Sequence, residues 1–196
     1  MNENVFGKFT KNAKTILAEA EKLAEEKGEV LSSTHILQCI TRLKGTLARD
    51  ILQEYSITSD EIEIINSVTS PKGRTRFAQQ ISDEAKQVVI DSFKLAADFK
   101  HYNVDSEHIL LSIVSNENSA GYHLINKIGV DPQIIKKQLQ SIFKDLFEMD
   151  KLIKDQAVER FNDPSAQPLF EGEEDHFAND QRQNLAGLKT ISGGDK

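Results

Sequence analysis

Apolar residues recur every three to four positions along most of the chain, and the stripes they draw predict helices. Ala13, Ile16, Leu17, Ala20, Leu23 and Ala24 fall on one face of a helix over residues 10–27. Thr10 is placed to cap its start, its hydroxyl accepting an otherwise unpaired backbone N–H, and Gly28 to stop it. A shorter helix over 34–43 carries Ile36, Leu37, Ile40 and Leu43, with Ser33 as its expected N-cap. A third over 46–54 carries Leu47, Ala48, Ile51 and Leu52. A fourth opens on the capping box Thr58-Ser59-Asp60-Glu61 and carries Ile62, Ile65 and Val68. Ser70-Pro71-Lys72-Gly73-Arg74 then breaks the period and reads as a linker.

After the linker the pattern restarts. Ala85, Val88, Val89, Ser92, Leu95 and Ala96 reproduce the first stripe at an offset of 72 (Ala13 to Ala85), with Ser82 in the place of Thr10. One residue is gained in the following loop, so the offset becomes 73 (Ile36 to Ile109). Ile109, Leu110 and Ile113 then match Ile36, Leu37 and Ile40, and Ala120, Gly121, Leu124 and Ile125 match Leu47, Ala48, Ile51 and Leu52. Ile128, Val130 and Ile135 match Tyr55, Ile57 and Ile62, and Asp131-Pro132 opens the last helix with a cap and a proline at its first position. A period this long does not suit a solenoid. It predicts an all-α fold of two tandem four-helix repeats, related by a pseudo-two-fold axis and packed on each other, because one half alone buries little surface. The expected boundaries are 5–68 for the first repeat, 69–80 for the linker and 81–143 for the second repeat. A helical extension follows over 144–161, through Leu146, Phe147, Leu152 and Ile153, and then a flexible acidic tail over 162–196.

Composition narrows the function. The formal net charge is −7, and the tail alone holds seven acids against three bases. Such a balance excludes a general nucleic-acid or anionic-membrane binder, which needs a clustered positive field. No run of residues approaches the length and apolarity of a membrane span, and the start has neither a basic nor an apolar leader segment, so a cytoplasmic location is expected. Cys39 lies within an apolar helical pattern and is read as a small buried side chain. His35 and His108 occupy equivalent positions, one per repeat, with no second His or Cys expected beside either. They are read as packing or hydrogen-bonding residues, not metal ligands. No phosphate loop, nucleophile elbow or zinc-protease helix is present, so no catalytic residue, cofactor or metal is expected.

Phe6-Gly7-Lys8-Phe9-Thr10 followed by Ala13 resembles the opening of Clp N-terminal (Clp R) domains. Ser33-Thr34-His35-Ile36-Leu37 and Ser106-Glu107-His108-Ile109-Leu110 resemble the Thr-Glu-His-Ile-Leu element that begins the second helix of each repeat in that family, and Ile128-Gly129-Val130 resembles its Leu-Gly-Val turn. The resemblance covers residues 5–143 and is better in the second repeat. It implies a non-catalytic binding domain that recruits adaptors, unfolded proteins or tagged substrates to an Hsp100/Clp ATPase, often for the ClpP protease. The chain would be a fragment of such an ATPase or its stand-alone partner. In the ClpC-like branch each repeat can hold a phosphorylated arginine. The Glu of Thr-Glu-His pairs with the guanidinium, and the phosphate lies near a helix start. The resemblance carries these roles to Glu107 and Ser82 in the second repeat. In the first, Thr10 is present but Thr34 replaces the carboxylate, so that site is expected to be weakened or lost. A helix start offers free N–H groups to phosphate, and a carboxylate holds a guanidinium by charge-assisted hydrogen bonds. The alternatives are a helical dimerisation module, with Phe143, Leu146, Phe147, Leu152 and Ile153 exposed, and an enzyme using Glu107, His108 and His35. The second needs those groups to converge in one pocket.

Overall fold

The computed structural model describes residues 7–69 and 80–162, the side chains of 67–69 and 157–162 excepted. Among them run eight helices: α1 (Lys11–Lys27), α2 (Ser33–Arg42), α3 (Leu47–Glu54), α4 (Ser59–Thr69), α5 (Asp83–Asp98), α6 (Ser106–Ser115), α7 (Ala120–Ile128) and α8 (Pro132–Asn162). The fold is all-α, as the periodicity predicts. Residues 70–79 of the expected linker and 163–196 of the expected tail lie outside the described residues. The chain up to Asp150 forms one compact unit, and the rest of α8 belongs to a second.

The helix ends follow the sequence closely. Thr10 Oγ1 accepts from Ala13 N–H at 3.2 Å, and Ser82 Oγ accepts from Ala85 N–H at 3.2 Å. Glu61 N–H donates to Thr58 Oγ1 at 3.3 Å, and Gln133 N–H to Asp131 Oδ1 at 2.9 Å. The second helix departs by one residue. Its N-cap is Ser32, in extended backbone, and Ser33 is already the first helical residue, fully buried. Ser33 is drawn inward because its hydroxyl has a partner in the other half: it accepts from Gly121 N–H at 2.8 Å.

The pseudo-two-fold relation is visible bond by bond. α1 ends with Gly28 at φ 66 and α5 with Lys100 at φ 62, both left-handed. Glu29 N–H closes on Ala24 O at 2.9 Å, and its counterpart His101 N–H on Ala96 O at 2.8 Å. Glycine adopts this backbone freely, whereas Lys100 does so against the preference of an L side chain. Two isolated bridges then cross between the halves, Phe9 with Val104 and Leu31 with Ile81. Thr10 N–H reaches Val104 O and Ser82 N–H reaches Leu31 O, each at 2.9 Å. Offsets of 72 and 73 turn one bridge into the other, so each half lends the segment before its first helix to the loop before the partner half's second.

The short helices α2 and α6 are the centre of the core. Seven of ten residues of α2 and eight of ten of α6 are buried. α2 packs on α1, α3, α4, α5, α6 and α7. A helix so enclosed needs apolar residues on most sides, and Ile36, Leu37, Cys39 and Ile40 supply them in α2 and Ile109, Leu110, Leu111, Ile113 and Val114 in α6. α7 approaches α2 through Gly121, where an added Cβ would lie 2.7 Å from Ile113 Cγ2 and 3.3 Å from Ser33 O. Gly121→Ala is therefore expected to destabilise by about 1–2 kcal/mol despite its better helix propensity, read as a lower midpoint in urea unfolding. An unchanged or higher midpoint would show that Ile113 gives way freely.

Along α8, Ile135, Leu139 and Phe143 are fully buried. Phe143 is thus removed from the exposed stripe that a dimerisation module would present. Leu146, Phe147, Met149, Leu152 and Ile153 remain 43–62% exposed.

Candidate functional site

The starts of α2 and α6 are the places where polar chemistry gathers inside the fold. At α2, Ser32 N–H donates to His35 Nδ1 at 3.2 Å; at α6, Asp105 N–H donates to His108 Nδ1 at 3.0 Å. In each case the third helical residue reaches back to the capping residue's backbone, the work of a capping box with histidine in the usual glutamate position. Since Nδ1 accepts, the proton of each neutral ring lies on Nε2. His35 gives it to Glu29 Oε2 at 3.0 Å, and His108 to His101 Nδ1 at 2.7 Å. Glu29 and His101 are themselves equivalent at offset 72. The expectation that no second histidine stands beside His108 is therefore corrected: the chain turn after α5 brings His101 to it, seven residues away in sequence.

Both rings are held neutral. Burial pushes His108 down to about 4, and the neighbouring His101 adds to this. Burial also lowers His35, against the opposing pull of Glu29, and lowers His101. The rings are thus committed to structure, as the sequence reading of two packing or hydrogen-bonding histidines has it. Among the described residues no group of three or more His, Cys, Asp or Glu could hold a metal ion. Cys39 is buried, and burial raises its thiol to about 11, far from a reactive thiolate.

The crossed bridges decide which candidate residues meet. Ser82 stands beside the start of α2, which carries Thr34, because Ser82 N–H bonds Leu31 O. Thr10 stands beside the segment leading into α6, which carries Glu107, because Thr10 N–H bonds Val104 O. The sequence reading grouped Ser82 with Glu107 and Thr10 with Thr34, repeat by repeat. The structure exchanges the partners, since sequence adjacency does not show that the halves swap their leading segments.

Glu107 lies in the first turn of α6, half-buried, its Oε2 accepting from Ser106 Oγ at 3.0 Å. Burial raises its carboxyl above the ordinary range, the backbone N–H opposing and Asp105 adding to the rise. Among the described residues no Lys, Arg or His forms an ion pair with it. A desolvated carboxylate without a cation is poised to gain from one.

At the other helix start an acid absent from the sequence reading is decisive. Glu84 Oε1 accepts from Ser33 N–H at 2.9 Å and from Ser82 Oγ at 2.8 Å, and Oε2 accepts from Ala120 N–H at 3.4 Å. Its carboxylate bridges the starts of α2 and α7. Only the three-dimensional crossing makes it visible; in sequence it is one more acid in a first turn. On the outer side of α2, a cleft of about 350 Å³ is lined by Glu29, Ser32, Thr34, His35, His123 and Lys127 among others.

With this geometry in hand, the likeness to known proteins is specific. Residues 80–160 match the family model of the Clp repeat (R) N-terminal domain. The chain is 29% identical over 139 residues to the negative regulator of genetic competence ClpC/MecB of Bacillus subtilis, covering 69% of this chain and 17% of that protein. It therefore spans a small part of the curated relative it matches. Its fold is similar to the N-terminal domain of the chaperone ClpD from Arabidopsis thaliana, with a TM-score of 0.59 and 15% identity, over 74% of this chain and 99% of that one. It is also similar to the ClpV N-domain in complex with a VipB peptide, with a TM-score of 0.56 and 16% identity, over 72% of this chain and 91% of that one. In sequence motif, helix order and fold, the chain is similar to Clp N-terminal domains, and its residues 80–160 carry the match to that family.

Proposed function

We propose that this chain is a non-catalytic docking domain that recruits substrates or adaptor proteins to a Clp/Hsp100 AAA+ unfoldase, for unfolding or for degradation by ClpP. The observation that carries the reading is Glu107: a half-buried carboxylate at a helix start, raised by burial and lacking a cation among the described residues. A guanidinium supplies what it lacks. α3 of the first half packs on α6 of the second, and the Leu47 and Ala48 N–H groups at the start of α3 have no acceptor among the described residues. The pairing of a carboxylate with helix-start amides suits a group that is cationic at one end and anionic at the other, as phosphoarginine is. In this site Glu107 acts with Thr10, which the crossed bridge brings to the same helix start. Thr34 offers no charge at the corresponding place beside Ser82. The related ClpV N-domain, held with a VipB peptide, supports peptide docking as the mode of use.

Isothermal titration of the full chain with a peptide bearing one phosphoarginine is expected to show one site. Glu107→Ala should weaken it by roughly one to two decades, the worth of a charge-assisted hydrogen bond of about 1.5–3 kcal/mol. Equal affinity in the parent and in Glu107→Ala would remove the phosphoarginine assignment. Capture of neither a Clp ATPase subunit nor an unfolded client by the parent chain would count against docking as such.

A further inference from the structure

The two halves share a backbone plan, yet their helix starts are filled differently. At one junction between the halves the first two amides of α7 are both taken, Ala120 N–H by Glu84 Oε2 at 3.4 Å and Gly121 N–H by Ser33 Oγ at 2.8 Å. Glu84 Oε1 at the same time holds Ser33 N–H, the first amide of α2. One carboxylate thus lies where two helix starts converge. Their helix-start amides and dipoles favour a negative group there.

At the pseudo-equivalent junction the residue at offset 72 from Glu84 is Asn12, neutral and exposed. Ser106, the counterpart of Ser33, turns its hydroxyl to Glu107 Oε2 at 3.0 Å, and its N–H is held locally by Asp105 Oδ1 at 2.7 Å. Leu47 and Ala48, the counterparts of Ala120 and Gly121, keep their N–H groups without an acceptor among the described residues.

We infer that Glu84 closes one of two pseudo-equivalent anion positions from within, so that an anionic group on a partner finds only the junction of α3 and α6 open. Glu84 is then the residue that sets the number of ligands per chain and the junction that takes them. An incoming anion at the closed position would have to displace a tethered carboxylate. The tether gives that carboxylate a high effective concentration, and its charge repels the competitor. The inference rests on the docking reading only for what the open junction binds; the closure itself follows from where Glu84 lies.

The test is a titration of the ¹⁵N-labelled full chain with inorganic phosphate, followed at individual amides. In the parent, Ser33 and Ala120 should not respond saturably. In Glu84→Ala they should, with at least about ten-fold tighter binding than any response of the parent. Glu84→Gln, which keeps the length and an acceptor oxygen while losing the charge, gives the same reading if Glu84→Ala fails to fold. Parent amides at Ser33 and Ala120 that titrate as tightly as those of a variant would overturn the closure, and so would a folded variant whose amides there stay silent. Silence at Leu47 and Ala48 would strike the phosphoarginine assignment and leave the closure at Glu84 standing, so the two fail separately.

Discussion

Phe143→Ala is expected to destabilise the domain by roughly 3–5 kcal/mol, the range for removing a fully buried ring whose surroundings relax only in part. Phe143 is fully buried on α8 and meets aromatic groups from two other segments. It stacks on His108 at 4.9 Å and 23°, and packs edge-on to Phe99 at 4.8 Å and His101 at 5.1 Å. The α5–α6 turn, the start of α6 and the last helix are therefore joined through one ring. Its loss opens a space beside the partly buried His101–His108 hydrogen bond and admits more competing water to it. Leu146→Ala, one turn further on where the side chain is 48% exposed, is the control, and is expected to change stability by no more than about 0.5 kcal/mol. Urea unfolding of the two variants against the parent decides the matter. A Phe143→Ala midpoint no lower than that of Leu146→Ala would show that α8 is not held through this ring.

This ring also shows which parts of the fold were legible in the sequence. Periodicity placed the helices and their stripes, because an amphipathic stripe is a local property of the chain. Side-chain caps were legible for the same reason at Thr10, Thr58, Ser82 and Asp131. Phe143 was legible only in part: the repeat bounds end on it, yet as the first of one apolar run with Leu146, Phe147, Leu152 and Ile153 it carried no local sign that it alone of them is buried. Ser33 was misplaced as a cap because the force that turns it inward, Gly121 N–H, comes from 88 residues away. The same limit applies to the site. The equivalence of Thr34 with Glu107 could be read by aligning the repeats, but the exchange that sets Thr10 near Glu107 and Ser82 near Thr34 needs the crossed bridges. Glu84 matters only because those bridges carry it to the starts of α2 and α7. Local chemistry was readable, whereas chemistry assembled across the pseudo-two-fold axis was not.

Acid is expected to weaken the domain well before its carboxylates protonate. His108 has an ordinary value near 6.5 and is pushed down to about 4 in the fold, by burial first and by His101 second. Between those values the unfolded chain binds the proton and the folded chain does not. Stability from this group is therefore complete above about 6.5 and falls as the pH drops toward 4. The loss amounts to roughly 3 kcal/mol over that window. The geometry explains why the proton is refused. Nδ1 of His108 already accepts from Asp105 N–H at 3.0 Å, so an added proton must break the backbone half of the capping box of α6. His35, lowered chiefly by burial, adds to the loss in the same direction, although Glu29 beside it resists the shift. Glu107 works the other way. Its carboxyl is raised by burial, so the fold takes up its proton sooner than the unfolded chain, and this offsets part of the loss at the acid end. The contribution of His108 is isolated by subtraction. Unfolding free energies measured by urea from pH 7.5 to 4.5 should fall steeply for the parent. They should fall less for His108→Gln, which is less stable at neutral pH but cannot be charged. Two curves that run parallel across the window would show that the proton of His108 is not what the acid transition reads. A parent curve that stays flat would show that neither buried histidine is held neutral by the fold.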